Sequence, residues 1–70
     1  MSTDHPPSRT KQTRQRAGKA ITAAAALADV SPTSWRLYEI DRESVTPEIR
    51  RRCDAALCRL GEIALRREAA

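Results

Sequence analysis

Seventy residues allow a single domain, one that buries only about 60% of the surface its unfolded chain exposes. The net charge of +4 sits wholly in residues 1–19, where Arg9, Lys11, Arg14, Arg16 and Lys19 face only Asp4; residues 20–70 set eight arginines against eight acids. One histidine, His5, two cysteines, no glycine-rich phosphate loop and no long apolar run leave no basis for an enzyme, a cofactor, a metal site or a membrane anchor, and a cytoplasmic protein is expected.

Residues 1–8 are polar, carry Pro6-Pro7 and show no periodicity, so a disordered tail is expected there. The basic segment 9–19 follows. Arg, Lys and Gln favour helix over residues 9–17, although Thr10, Thr13 and Ala17 make a poor apolar face, and Gly18 suits the end of such a helix. Five cations within eleven residues suit a polyanion; a merely solubilising tail is the other reading.

Residues 20–28 are rich in Ala, the best helix former, and Ile21, Ala24, Ala25 and Ala28 recur at helical spacing. Asp29-Val30-Ser31-Pro32 then stops one helix and starts another. Asp tolerates a left-handed backbone, Ser31 is a good N-cap, and Pro32 falls where a missing N–H costs nothing. A helix from Pro32 to about Asp41 turns Trp35 and Tyr38 inward behind Val30, with Thr33, Arg36, Leu37 and Ile40 toward other sides. Residues 42–45 read as a loop. Thr46-Pro47 repeats the cap-and-proline signal, with Glu48 in the first turn, and opens a last helix to about Arg67. Along it Ile49, Cys53, Ala56, Leu60 and Ile63 alternate spacings of four and three, a short heptad seam that Leu57 widens. Cys53 on this stripe reads as a small core residue, and Cys53 and Cys58 point away from each other.

Two short helices joined by a tight turn, within residues 20–41, match the demands of a helix-turn-helix: small residues where the helices touch, a turn with an unusual backbone, and apolar anchors on the second helix. Ala25, Asp29, Val30, Trp35 and Tyr38 meet these demands in order. The second helix is then the one that enters the major groove of duplex DNA, about 12 Å wide.

Ala25 to Glu39, Ala-Ala-Leu-Ala-Asp-Val-Ser-Pro-Thr-Ser-Trp-Arg-Leu-Tyr-Glu, resembles the helix-turn-helix of Xre-type regulators, the family of phage lambda-like repressors. The resemblance is close over residues 25–39 and loose over about 14–60. It implies an all-α, lambda-repressor-like domain over residues 9–70, with four to five helices and a long C-terminal helix (47–67). The close-packing alanine of the family falls on Ala25, its turn glycine on Asp29, the buried aliphatic on Val30 and the recognition-helix core position on Trp35. Its glutamate falls on Glu39, and the first-helix arginine that pairs with it falls on Arg14. Ala20 stands where the family usually has a capping Ser or Thr. A bacterial, phage or plasmid regulator, repressing by occupying a promoter, is what the resemblance implies.

On this reading Pro32, Thr33, Arg36 and Leu37 project toward base edges. Arg36 is placed to bond guanine bidentately, or else it is a surface arginine pairing with Glu39. Ser34 supports the cap or meets a phosphate. Arg50-Arg51-Arg52 oppose the dipole of their own helix, with Arg42 just before them; a phosphate strand passing this end accounts for them, as does a solvated face tied by Arg50 to Asp54. Arg9, Lys11, Arg16 and Lys19 are expected on phosphates. A homodimer joined through Cys53, Ala56, Leu57, Leu60 and Ile63 would carry two recognition helices about 34 Å apart onto an inverted repeat. The alternative is a protein-interaction module, such as an antitoxin or small adaptor, with RNA binding through the basic arm as a third reading. No small-molecule effector and no membrane contact is evident in the sequence.

Overall fold

The computed structural model describes residues 8–70, so all of the tail except Ser8 lies outside the described residues. Among them there is no strand; four α-helices follow in order, α1 Arg9–Arg16, α2 Ile21–Ala28, α3 Pro32–Ile40 and α4 Pro47–Ala69, with a 3-10 turn at Arg42–Ser44. The chain is all-helical, as expected. Among the described residues no helix is long and apolar enough to cross a membrane.

Each helix begins where local chemistry satisfies its free N–H groups. Ser8 belongs to the fold and not to the tail: its hydroxyl accepts from the Lys11 N–H and caps α1. Ser31 accepts from the Ser34 N–H and Thr46 from the Ile49 N–H, each followed by proline in the first turn. Only α2 begins uncapped, because Ala20 offers no side-chain acceptor. Its other end closes on Asp29 in the left-handed region (φ 59°), with the Val30 N–H bonded to the Ala25 carbonyl. Residues 29–31 are thus all that separates α2 from α3. Gly18 ends the first turn region at φ 71°, and the Arg67 guanidinium lies over it where a side chain would otherwise stand.

Helix α2 packs on α3 and α4, while α1 packs on α4. The core they enclose holds Ala17, Ala24, Ala25, Ala28, Trp35, Tyr38, Val45, Cys53, Ala56, Leu60 and Ala64. Six of these eleven residues are alanine, so backbones approach closely, and Trp35 and Tyr38 are the largest side chains between them. The seam expected to join two copies is largely spent here. Cys53 and Leu60 are 0% exposed and Ala56 2%, against this chain's own α1–α3, and so cannot meet a partner; Leu57 and Ile63 are half-buried. A heptad stripe marks an apolar face but not what covers it.

Candidate functional site

Helix α3 has a buried side and an open side. Trp35, Tyr38 and Glu39 are buried; Pro32, Thr33, Arg36 and Leu37 are exposed. Trp35 and Tyr38 inward with Thr33, Arg36 and Leu37 outward are as the periodicity expected; Glu39 had come only from the resemblance. Val30 packs on the core at the entry to the helix.

The buried side is held by charge as well as by apolar contact. Arg14 of α1 donates from Nε to Glu39 Oε2 at 2.5 Å and from Nη2 to Oε1 at 3.4 Å, and Trp35 Nε1 donates to Oε2 at 2.6 Å. Arg14 Nη1 also donates to the Lys19 carbonyl at 3.0 Å, tying the loop after α1 to the same cluster. The pairing of Arg14 with Glu39 is therefore made, across 25 residues of sequence. It also explains the poor apolar face of α1: the inward side of that helix is Arg14 and Ala17, both buried. Alone, such a charge would be costly inside; paired and hydrogen-bonded, it fixes where α1 lies against α3.

A second cluster meets α3 at Tyr38, next to Glu39 in sequence but turned toward α4. The Tyr38 hydroxyl donates to Asp54 Oδ1 on α4, and Arg42 reaches the same carboxylate from Nε (3.1 Å) and Nη2 (2.6 Å). The Arg42 hydrogen bond, helped by Tyr38, holds the Asp54 carboxyl below the usual carboxylate range against partial burial. Burial first, and the Asp54 carboxylate second, push the Tyr38 phenol above its ordinary value.

This changes the picture of the basic end of α4. Arg42 is held by Asp54 and Glu43. Arg50 does not pair with Asp54; it donates to the Arg42 and Val45 carbonyls and pairs with Glu43 at 3.4 Å. Arg52 donates to the Asp29 carbonyl and pairs with Glu48. Three of the four arginines thus serve their own chain, by closing the turn between α3 and α4 and bracing the turn after α2. Arg51 alone of the four is exposed without an ion pair among the described residues. Ser34 completes the cap, receiving a hydrogen bond from the Ser31 hydroxyl at 2.9 Å.

Arg36 is the contrasting case. It is exposed, and Glu39, the acid proposed for it, is taken by Arg14 and Trp35. It lines a cleft of about 560 Å³ between α1 and α3 that also includes Lys11, Ile21 and Ile40, with the Arg14–Glu39 pair on one wall. Arg9, Lys11, Arg16 and Lys19 are all exposed; among the described residues only Arg16 of these approaches an acid, Glu68 at 3.9 Å. Ile40, expected away from the buried face with Arg36 and Leu37, is 75% exposed at the end of α3. Sequence reading missed the Asp54 cluster.

Comparison with protein-family models, curated proteins and solved structures finds no match.

Proposed function

We propose that the chain binds double-stranded DNA in a sequence-specific manner, as a small Xre-like regulator with a lambda-repressor-like helix-turn-helix. The observation that carries this reading is the division of α3. Its inner side is locked by Trp35, Tyr38 and Glu39, while Thr33, Arg36 and Leu37 stand free on the outer side. A helix held so rigidly from behind suits insertion in a major groove, since side chains that read bases must be positioned before they meet them.

Arg36 then bonds the O6 and N7 edge of a guanine, and Thr33 and Leu37 meet thymine methyls. Arg9, Lys11, Arg16, Lys19 and Arg51 supply phosphate contacts; they position the chain without reading sequence. Arg42, Arg50 and Arg52 have a different duty, because their guanidiniums are engaged with acceptors of the chain itself. Repression follows from occupancy, since blocking a promoter requires nothing beyond binding.

Selection of bound sequences from random duplexes tests the reading. Enrichment of a short motif is expected, with affinity falling about 10³–10⁵-fold between 50 and 200 mM salt for 6–10 phosphate contacts. Absence of any enriched motif at low salt overturns it.

A further inference from the structure

Three cations and one acid line the cleft between α1 and α3, a net charge of +2. One cation and the acid neutralise each other. Arg14 gives Nε and Nη2 to Glu39 and Nη1 to the Lys19 carbonyl, so that wall has no donor left for a ligand. The other two cations, Lys11 and Arg36, are exposed and have no ion pair among the described residues.

Beside these cations the cleft is apolar. Arg36 and Ile40 stand at i and i+4 on α3 and therefore share a face. Ile21, half-buried at the start of α2, lines the same cleft. A lone exposed isoleucine is ordinary on a protein surface. Here Ile40, 75% exposed, is joined by a second isoleucine, with two unpaired cations next to both. The volume of about 560 Å³ falls within the usual span of small-molecule sites, about 300–1,000 Å³.

We propose that the cleft binds a small amphipathic carboxylate, an acid with a short aliphatic tail. Its head lies between Lys11 and Arg36, where the flat guanidinium fork takes both carboxylate oxygens and the ammonium adds a point charge. Its tail covers Ile21 and Ile40 and removes them from water. Neither half holds a ligand alone, since exposed ion pairs are weak and a short tail buries little on an open surface. A free phosphate, lacking the tail, meets only half of the site. Regulation follows from Arg36. One guanidinium cannot hold a carboxylate and a guanine edge together, so the bound acid displaces DNA. This second step rests on the proposed DNA reading; the binding itself does not.

Octanoate is the probe, titrated into the full chain without DNA and followed by amide and methyl NMR shifts. Saturable binding with a Kd of about 0.1–1 mM is expected for a ligand of this size on an open site, with the largest shifts at Ile21, Arg36 and Ile40. Acetate, octanol and inorganic phosphate should each bind at least about ten-fold more weakly. Arg36→Gln and Ile40→Glu should each weaken octanoate about ten-fold with the helical signal unchanged, because both side chains are exposed. Leu65→Asp, on the outer side of α4, should leave it as it was. Equal affinity for acetate or phosphate would mean that any anion suffices, and equal affinity for octanol that the cations have no part. Either result overturns the proposal, as do shifts centred on Leu65 or no saturation by about 20 mM. Fluorescence anisotropy on a selected duplex then reads the regulation. Octanoate at about 10 mM should raise the apparent Kd for DNA at least about ten-fold over acetate at equal ionic strength. Duplex binding indifferent to octanoate overturns the competition. A chain that takes no duplex overturns the DNA reading, and the octanoate titration still decides the site.

Discussion

Two clusters on α3, entered by the neighbouring residues Tyr38 and Glu39, carry the same three-part chemistry in different surroundings. In one Glu39 accepts from Arg14 and from the Trp35 indole; in the other Asp54 accepts from Arg42 and from the Tyr38 hydroxyl. The Arg14 and Glu39 side chains are 9% and 7% exposed, those of Arg42 and Asp54 52% and 39%. Water therefore competes for the second cluster and not for the first. The buried cluster makes the orientation of α3 a condition of folding, and the rim cluster orders the turn into α4.

The largest effect should come from breaking the buried cluster on one side only. Glu39→Ala leaves the Arg14 charge without a counter-charge and the Trp35 N–H without an acceptor, and a loss of about 3–5 kcal/mol is expected in thermal or urea melts. A chain of this size has roughly 4–10 kcal/mol in total, so the variant should be largely unfolded when warmed. Replacing both partners, as Arg14→Met with Glu39→Leu, should recover much of the loss. A melt for Glu39→Ala within about 1 kcal/mol of the original would show that the two clusters do not differ as burial implies.

Trp35→Phe sharpens the same point more gently. It removes one donor to Glu39 and leaves a small void at a residue that is 0% exposed, for about 2–3 kcal/mol. Tyr38→Phe, its counterpart, removes one donor from a wetter carboxylate and should cost about 1 kcal/mol or less. Asp54→Asn should fall in the same small range. The rim cluster also has a pH signature. The Asp54 carboxyl is depressed, so its contribution is intact above about pH 4, the ordinary carboxylate value, and fades as pH falls through the lower folded value. The Tyr38 phenol is raised, so the folded form withholds ionisation, and stability should begin to fall as pH rises past about 10. Both limbs should flatten in Tyr38→Phe/Asp54→Asn, followed by melts across pH.

These clusters also mark how far the sequence could be read. The turn at residues 29–31 and the inward side of α3 were legible because caps, prolines and helical spacing are local signals. The Arg14–Glu39 pair spans 25 residues and came only through the family resemblance. The Asp54 cluster was not legible: i,i+4 spacing pointed Asp54 at Arg50, but the 3-10 turn folds Arg42 back onto it from twelve residues away. Helix α1 looked weak because its inner face was sought among Thr10, Thr13 and Ala17, whereas the charged Arg14 is part of its buried side. The α4 stripe was read as a joint between copies because periodicity shows that a face is apolar and is silent on its neighbour.

Arg36 completes the ranking, because its removal should scarcely register in stability. The side chain is exposed and carries no ion pair among the described residues, so Arg36→Ala should shift the melt by no more than about 0.5 kcal/mol. On the proposed function the same change costs about 1–3 kcal/mol of discrimination at one base pair and leaves the others as they were. Arg51→Ala, an exposed cation at the start of α4, should instead weaken every duplex alike and lower the salt slope by about one unit. Arg42→Ala should do neither in proportion, since its guanidinium already belongs to Asp54. Fluorescence anisotropy on a selected duplex and its single-base variants separates the three. If Arg36→Ala and Arg51→Ala weakened all duplexes equally, Arg36 would be one more phosphate contact, and the open side of α3 would have lost its claim to read sequence.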